Sequence, residues 1–338
     1  MPVPITETRI MRKTQWLRTC AVGLAFGIGA ATMASAQAAD RWPDRPVRIV
    51  VPYAAGGTTD FAARLIAQKL AEKTGGSFIV ENKAGGSGTI GTQQVVRSDA
   101  NGATLLANDT SYAMLPGLFA NLPWDHAHDL IPVTTMVQTP VVLMVPANSP
   151  FKTLDELRAY AKAHPGKLNF GSGGAGSSTH LQGALFNKDA GVDITHVPYK
   201  GAGEAMMGLV AGQVDVLITA APTAMPQVDG KRARALAVTG AKRLPVLAEV
   251  PTFSEAGLPQ FAVVNWFGLA APKGTPAAVI QTIAADVKQA LDDPALRKRL
   301  AEQGAEPGGI SPAEFGARIT KETAVWSEIA KSAGITPH

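Results

Sequence analysis

Three short stretches combine glycine with hydroxyl side chains in a way that can seat an anion: Ala54 to Asp60, Gly85 to Thr92, and Gly171 to Thr179. Each follows a predicted strand and opens a predicted helix. The first N–H groups of a helix have no internal partner and carry partial positive charge, and glycine lets a ligand approach the backbone closely. The hydroxyls add further donors. No Lys or Arg stands inside these turns, although Lys83 precedes the second. A phosphate site commonly recruits such a cation; a carboxylate can be held by N–H groups, hydroxyls and water alone. Two such turns at matched places in the two halves favour an anion seat over ordinary loops.

Other chemistries fit less well. Gly86-Ser87-Gly88-Thr89-Ile90-Gly91 satisfies the dinucleotide fingerprint, with Asp109 downstream as the ribose acid. Gly171 to Gly176 satisfies it equally, so among 34 glycines the match is cheap. Glu81 to Ala84 also separates strand from glycines and spoils the tight turn. Trp124-Asp125-His126-Ala127-His128-Asp129 carries metal-ligand types, with histidines that would face one way on an extended chain, yet no second ligand group accompanies it. Ser177, Ser178 and His180 lack an orienting acid and a nucleophile elbow, which argues against catalysis. His180 is expected to line or back the pocket, and Trp266 could edge the cleft.

The elements that must position these turns repeat a β-turn-α-β rhythm. Val47 to Val51 reads as a buried strand, followed by a helix carrying Phe61, Leu65, Ile66 and Leu70 and stopped at Gly75-Gly76. Phe78 to Glu81 and the region of Thr104 to Leu106 add strands. The rhythm restarts with Val141 to Val145, a helix capped by Thr153 with Glu156, and strands at Lys167 to Phe170, Val214 to Ile218 and Ala233 to Val238. The C-terminal part is helical, with Thr275-Pro276, Asp293-Pro294 and Ser311-Pro312-Ala313-Glu314 as start signals. The helix after Thr275 should pack Val279, Ile280, Ile283 and Val287 on a sheet. This is an α/β chain with parallel sheets. It has no linker between its halves, so the chain should cross in extended strands near Thr139-Pro140 and Val264-Asn265.

The N-terminus runs from basic (Met11-Arg12-Lys13 to Arg18) through apolar (Ala21 to Met33) to small residues (Ala34 to Ala39). That order predicts a cleaved secretory signal over residues 1–39, started at Met1 or Met11, and a periplasmic product. The apolar run is shorter than the ~20 residues a spanning helix needs. Cys20, the only cysteine, would leave with the leader, so no disulfide, thiolate metal site or cysteine nucleophile is expected. Arg9, Arg12, Lys13 and Arg18 against Glu7 place most of the formal +4 charge there too. With no basic stripe left, nucleic acid is not an expected partner.

With these residues in hand, the chain resembles the Bug family of extracytoplasmic solute receptors, which serve tripartite tricarboxylate transporters. The similar stretches include Ile49 to Tyr53 with Ala55 to Asp60, Val80 to Gly86, Leu168 to Ser172 and His196 to Gly201. Ala211 to Asp215, Val250 to Gly257, Trp266 to Leu269 and Ala271 to Pro276 follow in the same order. The resemblance implies a type II periplasmic-binding-protein fold, two lobes joined by crossing strands, with lobe 1 from residues 40–139 and 265–338 and lobe 2 from 140–264. It implies a monomer without catalysis or cofactor, binding a small carboxylate and passing it to membrane permease subunits. The alternative is a same-fold receptor that senses a carboxylate for a signalling partner. Carried over by position, Tyr53, Gly57, Thr58 and Asp60 would form the first-lobe seat and Ser172, Ser177, Ser178 and Thr179 the second, with Thr110 and Ser111 on a further loop. Thr219 and Ala220 stand where the family often has an Asp-Asn pair; without an acid to receive an ammonium, a plain carboxylic acid is favoured over an amino acid.

Overall fold

The computed structural model describes residues 42–332 together with Met1 and Pro337; the predicted leader over 1–39, Met1 apart, lies outside the described residues. All named elements belong to the compact unit that begins at Pro43. The strands are β1 (Val47–Val51), β2 (Phe78–Asn82), β3 (Thr104–Asp109), β4 (Leu130–Pro146), β5 (Asn169–Ser172), β6 (Thr195–Pro198), β7 (Val216–Ala220), β8 (Ala233–Val238), β9 (Val264–Pro272) and β10 (Glu306–Pro307). The helices are α1 (Thr58–Thr74), α2 (Thr89–Val96), α3 (Thr110–Met114), α4 (Leu154–Ala163), α5 (Ser178–Ala190), α6 (Ala202–Val210), α7 (Ala221–Asp229), α8 (Ala277–Leu291), α9 (Pro294–Glu302) and α10 (Pro312–Ser332).

Strand order is β2-β1-β3-β9-β4-β7-β5-β6, with β8 and β10 also on β4. One sheet holds β1 parallel to β2 and β3, and β9 antiparallel to β3. The other holds β5 parallel to β6 and β7. β4 belongs to both. Its first part, to Pro140, pairs with β9, and its last part, from Val141, pairs with β7 and β8. Thr139 faces Asn265 and Pro140 faces Val264 at the handover. The result is two α/β lobes joined by crossing strands.

Local sequence explains the boundaries. Gly75 ends α1 in the left-handed conformation (φ 69°), which glycine adopts without a Cβ penalty. Thr153 caps α4 by accepting from Glu156 N. Ser311 and Glu314 cap α10 reciprocally: Glu314 Oε2 accepts from Ser311 N at 2.9 Å, and Ser311 Oγ accepts from Glu314 N at 3.3 Å. Asp293 accepts from Ala295 N and Leu296 N at the start of α9. Thr275 does not cap α8; its hydroxyl donates back to Pro272 O, and Pro276 precedes the first helical residue. The face of α8 does bury Val279, Ile280, Ile283 and Val287.

Behind β7, Leu217 packs with Met206 and Leu209 of α6 and Met225 of α7. His126 and His128 sit in a turn rather than an extended run: His128 Nδ1 is 2.9 Å from Asp125 Oδ2, and the His126 ring stacks on Tyr112 at 4.2 Å. Among the described residues no three His, Cys, Asp or Glu side chains gather as a metal set. No described helix is long and apolar enough to cross a membrane.

Candidate functional site

The strand–turn–helix units of the two sheets point their turns at each other across one cavity. Its wall is built from the loop after β1 and the start of α1 (Tyr53, Ala54, Gly57, Thr58, Thr59, Asp60), the end of β3 and first turn of α3 (Asp109, Ser111) and the turn into α5 (Gly173, Ser177, Ser178, Thr179). The start of α6 (Ala202), the β7–α7 junction (Thr219, Ala220, Thr223) and β9 (Asn265, Phe267) complete it. The cavity volume is ≈ 40 Å³. That is far below the ~300 Å³ at which ordinary small-molecule pockets start, so a ligand can enter only if the walls part.

Several helix N-termini converge here. α1 is preceded by Gly57 and α7 by Ala220, and neither residue supplies a side-chain cap; the second residue of α7 is Pro222, which has no N–H to offer. α5 is different: Ser177 Oγ accepts from His180 N at 3.3 Å and donates to Gly174 O at 2.8 Å. Thr179 Oγ1 accepts from Gly173 N at 2.8 Å. Thr58 Oγ1 and Thr223 Oγ1 meet at 2.8 Å, joining the first turns of α1 and α7. Ser111 Oγ accepts from Ser178 N at 2.8 Å, tying the first turn of α3 to α5. The Thr219 hydroxyl is buried on the wall with no protein partner.

No lysine, arginine or histidine lines the cavity, and its two acids are already satisfied. Asp109 accepts from Ser111 N (2.8 Å), Thr59 Oγ1 (2.9 Å) and Tyr53 Oη (3.2 Å). Burial raises its pKa above the ordinary carboxylate range despite these donors. The Tyr53 hydroxyl is raised well above its usual value, by burial first and then by Asp109. For Asp60, burial acts upward but is outweighed by Arg64, Asn82 and Gly56 N, so its carboxyl stays below the usual range.

Of the residues singled out in the sequence, the wall includes Tyr53, Gly57, Thr58, Asp60, Ser111, Ser177, Ser178, Thr179 and Thr219. Three lie off it. Thr110 turns to β9, where its hydroxyl accepts from Trp266 N at 3.0 Å. Ser172 is buried against His196, with Oγ 2.5 Å from Nε2. Trp266 is fully buried on the far face of β9, edge-on to Phe315, its Nε1 donating to Glu322 at 2.6 Å. His180 backs the seat: its Nδ1 accepts from Gly176 N at 3.1 Å and its ring stacks on His196 at 3.9 Å. Sequence reasoning missed Asp109, Thr223, Asn265 and Phe267. Strand alternation is the signal that finds two of them, because Asn265 and Phe267 flank the chosen Trp266 on β9.

The profile of the tripartite tricarboxylate transporter family receptor, TctC, matches residues 62–335. The UPF0065 protein in the tcbD-tcbE intergenic region of Pseudomonas sp. (strain P51) is 38% identical over 295 residues, covering 87% of this chain and 88% of that one. Among solved structures, the periplasmic binding protein BugD superposes with a TM-score of 0.84 at 33% identity, over 88% of this chain and 100% of its own. R. palustris Rpa4515 with adipate superposes with a TM-score of 0.85 at 37% identity, over 88% and 100%. The matching family model is that of a receptor, and BugD is a periplasmic binding protein. With the fold, the cleft and these matches in agreement, the chain is a member of the TctC family of tripartite tricarboxylate transporter receptors.

Proposed function

We propose that this periplasmic-type receptor captures a small organic carboxylate without an amine and hands it to the membrane permease of a tripartite tricarboxylate transporter. The observation that carries the reading is the cavity's chemistry. Helix N-termini and hydroxyls surround it, no cationic side chain lines it, and both acids on its wall are engaged. Such a site suits an anion of modest charge. An ammonium would find no free carboxylate. The similar R. palustris protein carries adipate, a plain diacid, in keeping with this class.

The seats are assigned by the same reading. Tyr53, Gly57, Thr58 and Ser111 form the first lobe's seat; Ser177, Ser178, Thr179 and Thr219 form the second's. The lobes divide near residues 139–140 and 264–265, and residues 1–39 act as the export signal. Binding then works as a population shift: a bound carboxylate gains the second set of contacts only when the lobes close. Calorimetric titration of succinate, malate, adipate and citrate tests this. At least one should bind, and Thr58→Ala should weaken it about fivefold, the equivalent of one hydrogen bond near 1 kcal/mol. No binding by any of the four, or unchanged affinity in Thr58→Ala, would refute the assignment.

A further inference from the structure

The seam where the lobes meet beside the cavity has almost no side chains in it. On one side is the loop after β1, Ala54 to Gly57; on the other is the loop after β6 and the first turn of α6, Lys200 to Gly203. Ala54 N donates to Lys200 O at 3.3 Å. A Cβ on Gly203 would lie 2.7 Å from Ala55 O, 2.8 Å from the Gly56 carbonyl carbon and 3.0 Å from Gly57 N. These are backbone atoms of the opposite lobe, so no side-chain rotation can relieve the overlap. Gly201 is tighter than ordinary contact as well, its Cβ position 3.2 Å from Ala54 N. Gly203 itself is helical, inside α6, where an alanine is conformationally acceptable. Within its own lobe nothing requires a glycine there.

We infer that Gly203 is a positioning residue for ligand capture: its missing side chain lets the lobes approach far enough for the α1 and α7 turns to meet across the cavity. Gly57 belongs to both structures, since it contacts Gly203 and immediately precedes α1. A side chain at 203 wedges the seam open at the point where the cavity wall begins. Receptor closure becomes less populated, and the apparent affinity falls by that fraction. The inference rests on the receptor reading above, but closure can be measured without any ligand.

The test compares Gly203→Ala and Gly203→Val with the unaltered protein. Replacing a helical glycine by alanine favours the helix, so the melting temperature of Gly203→Ala without ligand should hold or rise. A merely structural role would lower it. Closure is read by disulfide trapping with Ser87→Cys and Ala175→Cys, placed where the Ser87 hydroxyl donates to Ala175 O across the cleft, and with each single-cysteine chain as control. Trapping should slow in both Gly203 variants, and more in valine. Affinity for whichever of succinate, malate, adipate or citrate binds the parent should drop about tenfold or more, as a closed population reduced by that factor requires. Equal trapping rates in parent and Gly203→Val would overturn the inference, whatever the affinity does. Should none of the four acids bind the parent, the ligand class fails while the trapping rates still decide the role of Gly203.

Discussion

Two carboxylates can stand beside a cavity meant for a third because each is enclosed by its own donors. Asp60 is held by Arg64, Asn82 and a backbone N–H; Asp109 is held by two hydroxyls and the N–H it caps. Trp266 makes the complementary point. It is the largest side chain near the crossing, but its partners, Phe315 and Glu322, lie on α10 and away from the cavity. Trp266→Phe should therefore cost about 2 kcal/mol, the value of a hydrogen bond to a charged group, and leave carboxylate affinity unchanged. Chemical denaturation and calorimetry on the same variant check both halves. Loss of affinity at unchanged stability would return Trp266 to the site.

At the scale of elements, what was legible in the sequence is what local chemistry dictates. The caps Thr153, Asp293 and Ser311 and the glycine stop at Gly75 each announce a boundary through a bond to a near neighbour. The absence of a linker led to the expectation of crossing strands, and β4 pairs in both sheets. What was not legible is parity. A strand shows alternate residues to opposite faces, so choosing Trp266 instead of Asn265 and Phe267 is an error of one residue with the opposite outcome. The start of α7 was hidden for another reason: an Ala at 220 reads as the loss of an acid, and only the fold shows that it opens a helix onto the cavity.

Two half-buried histidines, His196 on β6 and His126 in the turn before β4, also set a pH response. Burial, and then the neighbouring His180, push His196 down to about 4, and burial pushes His126 to about 4, against an ordinary value of 6.5. The folded protein thus keeps both rings neutral while the unfolded chain takes up protons. Their contribution is fully present above pH 6.5 and is lost as pH falls toward 4. Melting temperature should fall through that window, and more gently in a His126→Gln/His196→Gln chain. An identical slope in the two proteins would remove these histidines from the account.

At the scale of the whole molecule, the two sheets share β4 and send their turns into one small cleft, so capture is a property of the pair of lobes rather than of either seat. Family membership accounts for the fold and the receptor role; the proposed preference for an amine-free acid rests on the chain's own residues, Thr219 and Ala220, on the cavity wall. The most direct test is calorimetric titration with matched acids that differ only in the amine: succinate against aspartate, and glutarate against glutamate. The account predicts that the amine-free member of a pair binds, and binds at least about tenfold more tightly, since a buried ammonium without a carboxylate partner is costly. Aspartate or glutamate binding as tightly as its amine-free counterpart, or better, would contradict it.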